Sequence, residues 1–310
     1  MDFSWKERNV LVTGATGFIA QHLISDLLEK GAQVKGVSLA GHHNINHKNF
    51  LYFCADIRDK DKIQGIIKEA EPEIVFHLAA YPDGAPTFKN TDECIQNNIQ
   101  GTLNIIHSLK DIKLRSFIHI GSYKEYSLNS IPFKEDDSLS PLSSYAISKA
   151  SAEMFCMSYH KLHGYPITCV RFPTLYGPMQ PSQNLIPYLI QSALSQAEIK
   201  LTKGEQKREL LYISDAVRAL EIIALTEKAN GEILNIGTSI EHSIKEIVEM
   251  VLKLTDSKTK PLFGAVQYRE NEIWRMKGSI KKAKKLLGWK PGVSIEKGLK
   301  HTIEFYKDAK

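Results

Sequence analysis

The run Asn9-Val10-Leu11-Val12-Thr13 ends in Gly14-Ala15-Thr16-Gly17, and the stretch that follows, Ile19 to Lys30, has helical periodicity that stops at Gly31. A glycine turn between an apolar strand and a helix constrains the chain more than any other feature, because it fixes a βα unit with a purpose. Gly14 is placed to make the tight turn and Gly17 to let backbone approach a pyrophosphate. The helix amino end would add N–H donors and a positive dipole. Ala20 takes the third position of the pattern, where packing tolerates alanine.

The rhythm continues. Gln33 to Leu39 and Phe50 to Ala55 read as strands, Lys60 to Glu69 as a helix, Glu73 to Leu78 as a strand and Ile95 to Leu109 as a helix. Ser116 to Ile120 is a fifth strand, Ser143 to Leu162 a long helix and Ile167 to Phe172 a sixth strand. Such alternation predicts an α/β fold, a doubly wound parallel sheet with helices on both faces. Past Gly177-Pro178 the pattern loosens. Helices are expected over Leu185 to Ser195 and from Ser214 toward Leu225, with a short extended piece at Glu209 to Ile213. Ser243-Ile244-Lys245-Glu246 has the form of a capping box, and Ile295, Leu299, Ile303 and Tyr306 line one side of a last helix. The division expected is a dinucleotide-binding domain over 1–174, with 209–240 returning to it, and a smaller substrate lobe from 175–208 and 241–310.

The 310 residues, 43% hydrophobic and 24% charged, suffice for one large core of ordinary globular kind. A net charge of +5 is modest and favours anionic small molecules over nucleic acid. Lys277, Lys281, Lys282, Lys284 and Lys285, followed by Leu286, Leu287 and Trp289, read as the solvated face of a helix. Cys54, Cys94, Cys156 and Cys169 have neither metal-ligand nor disulfide spacing, so no metal is expected and a reducing cytoplasm fits. Met1 to Arg8 lacks an apolar leader, and no apolar run approaches the ~18 residues of a membrane span.

Chemistry enters with Tyr145 and Lys149, four apart and so on one helix face. A lysine cation beside a phenol favours the phenolate, which predicts a tyrosine tuned from about 10 toward neutrality. Such a group can move a proton on a carbonyl or hydroxyl. Taken alone, the spacing also describes a half-buried Tyr with a solvated Lys. The end of the second strand carries Ser38, where NAD enzymes want an acid for the adenosine ribose. An acid would repel a 2′-phosphate, so its absence points to NADP, with NAD the alternative. No arginine follows directly, and His42, His43, Lys48 and Arg58 are the nearby cations. Asp56 and Ile57, after the third strand, suit the edge and face of an adenine.

Thr13-Gly14-Ala15-Thr16-Gly17, Asp56, His77-Leu78-Ala79-Ala80, Asn98 in Asn98-Ile99-Gln100-Gly101-Thr102, Ser122 and the Tyr145/Lys149 pair stand in one order. With them the chain resembles the extended short-chain dehydrogenases/reductases, specifically the nucleotide-sugar epimerase, dehydratase and reductase group. The likeness continues through Arg171 to Pro178, Lys203 to Asp215, Asn235-Ile236-Gly237, Tyr268-Arg269 and Leu286 to Pro291. It implies a Rossmann-type sheet with a smaller carboxyl-terminal lobe. It implies Tyr145 as the acid/base, Lys149 holding the nicotinamide ribose, and Ser122 bonding the same substrate oxygen. Phe18, Ile19, Leu78, Ala79, Ala80, Asn98 and Phe172 join the glycine loop, Thr16 and Ser38 as expected cofactor contacts. Tyr123, Lys124, Thr174, Asn184, Arg208 and Arg269 are the expected substrate contacts, the two arginines on the nucleotide's diphosphate. Thr174 stands where the pattern usually has Asn. Relatives often pair through the helices here spanning Ile95 to Leu109 and Met154 to Leu162, so a homodimer is expected.

The residues after Ser122 discriminate among reactions. Sugar 4,6-dehydratases of this group carry an acidic pair there, whereas this chain has Tyr123 and Lys124, and Glu125 one place later would point elsewhere. Two principal readings stay open. Ser38 favours NADPH-dependent reduction of a nucleotide-linked 4-keto-6-deoxyhexose; the alternative is a 4-epimerase with tightly bound NAD. Dehydration and a non-catalytic dinucleotide sensor are the minor readings.

Overall fold

The computed structural model describes residues 4–83 and 85–308. Residues 1–3, 84, 309 and 310 lie outside it, so the start of the segment read for a leader and the tail of the 241–310 lobe are not described.

Each half of the sheet is built from βα repeats. The first half comprises β1 (Asn9–Thr13), α1 (Phe18–Glu29), β2 (Gln33–Ser38), β3 (Phe50–Cys54) and α2 (Lys60–Ala70). The second comprises β4 (Ile74–His77), α3 (Phe88–Cys94), α4 (Gly101–Ser108), β5 (Ser116–Ser122), α5 (Ser144–His163) and β6 (Ile167–Phe172). The remainder is β7 (Thr174–Tyr176), α6 (Leu185–Leu194), β8 (Lys200–Leu201), β9 (Lys207–Tyr212), α7 (Ile213–Leu225), β10 (Ile233–Asn235), β11 (Glu241–Ser243), α8 (Ile244–Thr255), β12 (Leu262–Phe263), α9 (Lys281–Leu287) and α10 (Ile295–Asp308).

The main sheet has seven strands in the order β10-β6-β5-β4-β1-β2-β3, all parallel. The order in which the chain adds strands therefore reverses at β1, which has β2 on one side and β4 on the other, and this opens a crevice at the strands' carboxyl ends. Period-two alternation puts Leu11, Val75 and Phe117 against α2, α4 and α5, while Val10, Val12, Phe76 and Val170 meet α1 and α7. The later segments also form a three-stranded sheet, β11-β9-β7, and the pair β12-β8. Over them α10 is drawn close. A Cβ on Gly298 would lie 2.2 Å from Tyr176 Oη, so only glycine lets the helix seat there. Lys281, Lys284 and Lys285 face solvent, while Ala283 and Trp289 are buried.

One helix departs from its expected course. The element read as Ile95 to Leu109 starts at Phe88, capped by the Thr87 hydroxyl, which accepts the Asn90 N–H at 3.1 Å. It then passes through a π-helical turn, Ile95–Gln100, before α4. The π turn inserts residues into the 3.6-residue rhythm, which is why the periodicity read from sequence fades before Ile95. Among the described residues no helix is long and apolar enough to cross a membrane.

A buried ionic knot ties these layers together. Arg171 on β6 is 2% exposed; its Nε donates to Glu153 of α5 at 2.9 Å and its Nη2 is bonded to the same carboxylate. Glu125, in the turn after β5, lies 3.5 Å from the same guanidinium, and Tyr126 accepts from it as well. Removing one partner strands charge in the interior. Arg171→Met should therefore lower stability by about 3–5 kcal/mol, read as a fall in urea midpoint at unchanged slope.

Candidate active site

The glycine loop has the conformation its residues demand. Gly14 adopts φ +69°, and a Cβ there would sit 2.8 Å from both Ala79 N and Cα, so turn geometry and close approach to the β4 loop each require glycine. Gly17 precedes α1 with no side chain capping the helix, and its own Cβ would lie 3.0 Å from Gly14 O. The first amides of α1 are thus open donors above a bare backbone cradle, which fits a pyrophosphate. Phe18 and Ile19 start the helix, half-buried against the core.

Along the carboxyl edge the expected cofactor residues line up. Thr16 Oγ1 lies 2.8 Å from Ser38 Oγ at the end of β2. Asp56, after β3, is engaged by Arg58, whose guanidinium holds the carboxyl below its ordinary value and also reaches Glu93 at 3.3 Å. Arg58, one of the cations weighed for a 2′-phosphate, is therefore already balanced by two carboxylates. His43 packs on the Phe50 and Tyr52 rings instead of standing free. Ile57 is buried against Gly101 of α4. Ala80 is exposed at the edge, with Leu78 and Ala79 half-buried beside it, and Phe172 is buried at the end of β6.

Asn98 sits in the π turn with every polar atom engaged. Its amide donates to Tyr81 O at 3.0 Å and Ser148 Oγ at 2.8 Å, and its carbonyl accepts Tyr81 N–H at 2.7 Å. It clamps the loop after β4 onto α5. A chain that sequence reasoning passed over continues from it. Thr102 donates to Asn98 O and so accepts from His77 Nε2–H, leaving His77 Nδ1 to accept from Thr13 Oγ1. Burial, with Lys149 adding to it, pushes His77 down to about 3, consistent with this neutral ring.

Ser122 closes β5, while Tyr145 and Lys149 project from the first turns of α5, which packs on β5 and on the turn 123–125. Ser143 starts α5 by accepting the Ala146 N–H at 3.2 Å. Here the structure corrects one expectation. Burial pushes the Tyr145 phenol above its ordinary value, with Glu125 and the Cys94 thiol acting the same way. Burial also pushes the Lys149 ammonium down, against the pull of Glu125 and Glu153. Among the described residues no hydrogen bond joins the pair.

Tyr123 is a second correction. It is fully buried with Tyr126, Phe133 and Met276, and a Cβ on Gly278 would meet its hydroxyl at 2.2 Å, so it belongs to the core and cannot meet a substrate. Lys124 turns the other way, its Nζ 5.4 Å from the centre of the Tyr145 ring. Of the other expected substrate contacts, Thr174 is half-buried at the start of β7, and Asn184 is exposed before α6 without capping it. Arg208 on β9 donates to Ile273 O and pairs with Glu272, and Arg269 is exposed.

Glu125 does point inward, and there it acquires a task that its sequence position gave no sign of. Its Oε1 accepts the Ser122 N–H at 2.6 Å, which with the Ser122 hydroxyl accepting from Lys124 N–H makes a reciprocal cap. The strand end that carries Ser122 is thereby pinned from below. Burial, reinforced by Glu153 and opposed by Arg171, pushes the Glu125 carboxyl up to about 8.

Open amides at a glycine turn, a hydroxyl at the end of β5 and a Tyr/Lys pair on the facing helix define a dinucleotide-dependent oxidoreductase site. Residues 10–237 match the NAD dependent epimerase/dehydratase family, and the chain belongs to it. It is 33% identical to a UDP-N-acetyl-alpha-D-glucosaminuronate decarboxylase of Bacillus cytotoxicus, over 97% of this chain and 98% of that protein. It is 32% identical to a UDP-glucuronate 4-epimerase of Thermodesulfobacterium geofontis, over 96% of both. Among solved structures, a UDP-glucuronic acid 4-epimerase from Bacillus cereus, in complex with UDP-glucuronic acid and NAD, superposes with a TM-score of 0.88 at 30% identity, over 97% of this chain and 99% of that one.

The raised Glu125 carboxyl has a thermodynamic consequence. The folded state holds a proton that the unfolded chain releases near 4.5, so this contribution is complete below about 4.5 and is lost as pH rises to about 8. Glu125→Gln keeps the acceptor for Ser122 N–H and removes the titration. Urea unfolding of the wild type should show stability falling between pH 5 and pH 8 more steeply than in Glu125→Gln.

Proposed function

We propose that the chain is an NAD-dependent 4-epimerase of a nucleoside-diphosphate sugar. The observation that carries this reading is the pattern after Ser122. Where elimination of water would need an acid and a base, Tyr123 is in the core, Lys124 is a cation and Glu125 is spent beneath the strand. Dehydration is thereby disfavoured, and we read the chemistry as confined to C4. The 4-epimerases among the relatives favour epimerisation over reduction, and the pairing of Arg58 with Asp56 and Glu93 favours NAD over NADP.

NAD, when bound, would take up the hydride from C4 and give it back to the opposite face. The residues do the rest. The amides of α1 hold the pyrophosphate, Thr16 and Ser38 face the adenosine ribose, and Lys149 faces the nicotinamide ribose. Ser122 orients the O4 atom, and Tyr145 Oη removes its proton in one half-reaction and restores it in the other. Asn184, Thr174, Arg208 and Arg269 keep the nucleotide end fixed while the sugar turns. Removal of the O4 proton needs the phenolate, whereas a phenol held above its ordinary value begins protonated, the form that delivers a proton to a C4 carbonyl. That state, with the missing acid at Ser38, supports reduction of a 4-keto-6-deoxy sugar as the second reading.

We also infer a homodimer. Ile147, Met154 and Leu162 of α5 are 51%, 68% and 71% exposed in one helical stripe, with Ile95 beside them, an apolar face that a second copy would cover. A reducing cytoplasm suits the free thiols of Cys54, Cys94, Cys156 and Cys169.

Tyr145→Phe should lower turnover by about 10²–10⁴-fold and leave the dissociation constant for NAD nearly unchanged. Activity above about a tenth of wild type in that variant would contradict the proton-transfer role.

A further inference from the structure

A second concavity lies on the opposite edge of the sheet from the crevice. It is an open cleft of about 650 Å³, formed where the connection from α4 enters β5 and the connection from α5 enters β6. Its walls therefore stand at the amino-terminal ends of those strands, whereas Ser122 and Phe172 mark their carboxyl ends. The volume is that of a small-molecule site.

One wall is aromatic and built around Tyr159 of α5. His107 Nε2 is bonded to the Tyr159 hydroxyl, the His163 ring centre lies 5.3 Å from the Tyr159 centre, and Tyr165 meets the same ring edge-on at 6.1 Å. His160 Nδ1–H donates to Tyr165 O at 2.7 Å and so ties the connection back to the helix. Leu109, buried, and Ile112 and Leu114, half-buried, add apolar surface. Such rings offer their faces to another flat ring.

The charge is one-sided. Four basic side chains line the cleft, His107, Lys110, Lys113 and His163, and no carboxylate does. Asp111, between the two lysines in sequence, is exposed and outside the lining, and among the described residues no acid pairs with either lysine. Two ammoniums on one short connection suit a group that carries about two negative charges, as a phosphate monoester does.

We propose that this cleft binds an aromatic ring carrying a phosphate, the chemistry of a nucleoside monophosphate, with the ring against Tyr159 and His163 and the phosphate at Lys110 and Lys113. It is a site apart from the dinucleotide crevice, and the inference stands whichever reaction occurs there. The two share α5, which carries Tyr145 and Lys149 at its start and Tyr159 and His163 at its end.

Calorimetric titration of the full chain with AMP at saturating NAD, which fills the adenosine end of the crevice, tests this. Wild type should bind AMP, and should bind adenosine or inorganic phosphate at least about tenfold more weakly. Lys110→Ala/Lys113→Ala should weaken AMP about tenfold to a hundredfold and Tyr159→Leu about tenfold, with NAD affinity unchanged in both. Four results would overturn the assignment. AMP that gives no heat once NAD is saturating belongs to the crevice or does not bind. An AMP affinity unchanged in both variants places it elsewhere. Inorganic phosphate binding as tightly as AMP reduces the cleft to a charged surface. A changed oligomeric state of the double variant in sedimentation gives this face to a second copy of the chain.

Discussion

Everything at the site hangs on the Arg171 guanidinium. It reaches from β6 to Glu153 on α5 and lies beside Glu125 under β5, so three elements share one buried charge centre. Glu125 pins Ser122 from below, and Glu153 lies one helical turn past Lys149 on α5. The candidate hydroxyl and the candidate acid/base pair are thus set against each other by an ionic knot behind them. Buried charges are costly unless fully paired, and a site that must hold fixed geometry is a place where that cost brings precision.

A second clamp works from the opposite side. The Asn98–Thr102–His77–Thr13 chain joins the π turn, β4 and the glycine-loop strand, and Asn98 reaches Ser148 between Tyr145 and Lys149. The irregular π turn is what brings Asn98 to bear on both the β4 loop and α5. The cofactor cradle and the proton-transfer pair are in this way parts of one hydrogen-bonded frame.

The periodic parts of this frame were legible in the sequence. β1 and β6 fall where the apolar runs end, and Gly14, Gly17, Ser38 and Ser122 reach the sheet edge because strand length and turn chemistry alone bring them there. What could not be read depends on side-chain direction within short irregular turns. Tyr123, Lys124 and Glu125 are consecutive, yet one is core, one faces the cleft and one lies under the strand, a divergence that a tight helical turn produces and no periodicity announces. The start at Phe88 was hidden by the π turn, and the direction of the Tyr145 shift was hidden because spacing reveals the neighbouring lysine but not the burial or the Glu125 carboxyl behind the ring.

The central claim is that a hydride leaves and returns to C4 while a proton leaves and returns to its oxygen, O4, with no net redox change. The most direct test is proton NMR of UDP-glucuronate incubated with the purified protein and NAD, without any reductant. The account predicts accumulation of the C4-inverted nucleotide sugar to an equilibrium mixture with no net NADH formed. A UDP-glucuronate spectrum that stays unchanged, while the same protein oxidises NADPH stoichiometrically with a nucleotide-linked 4-keto-6-deoxyhexose, would contradict it.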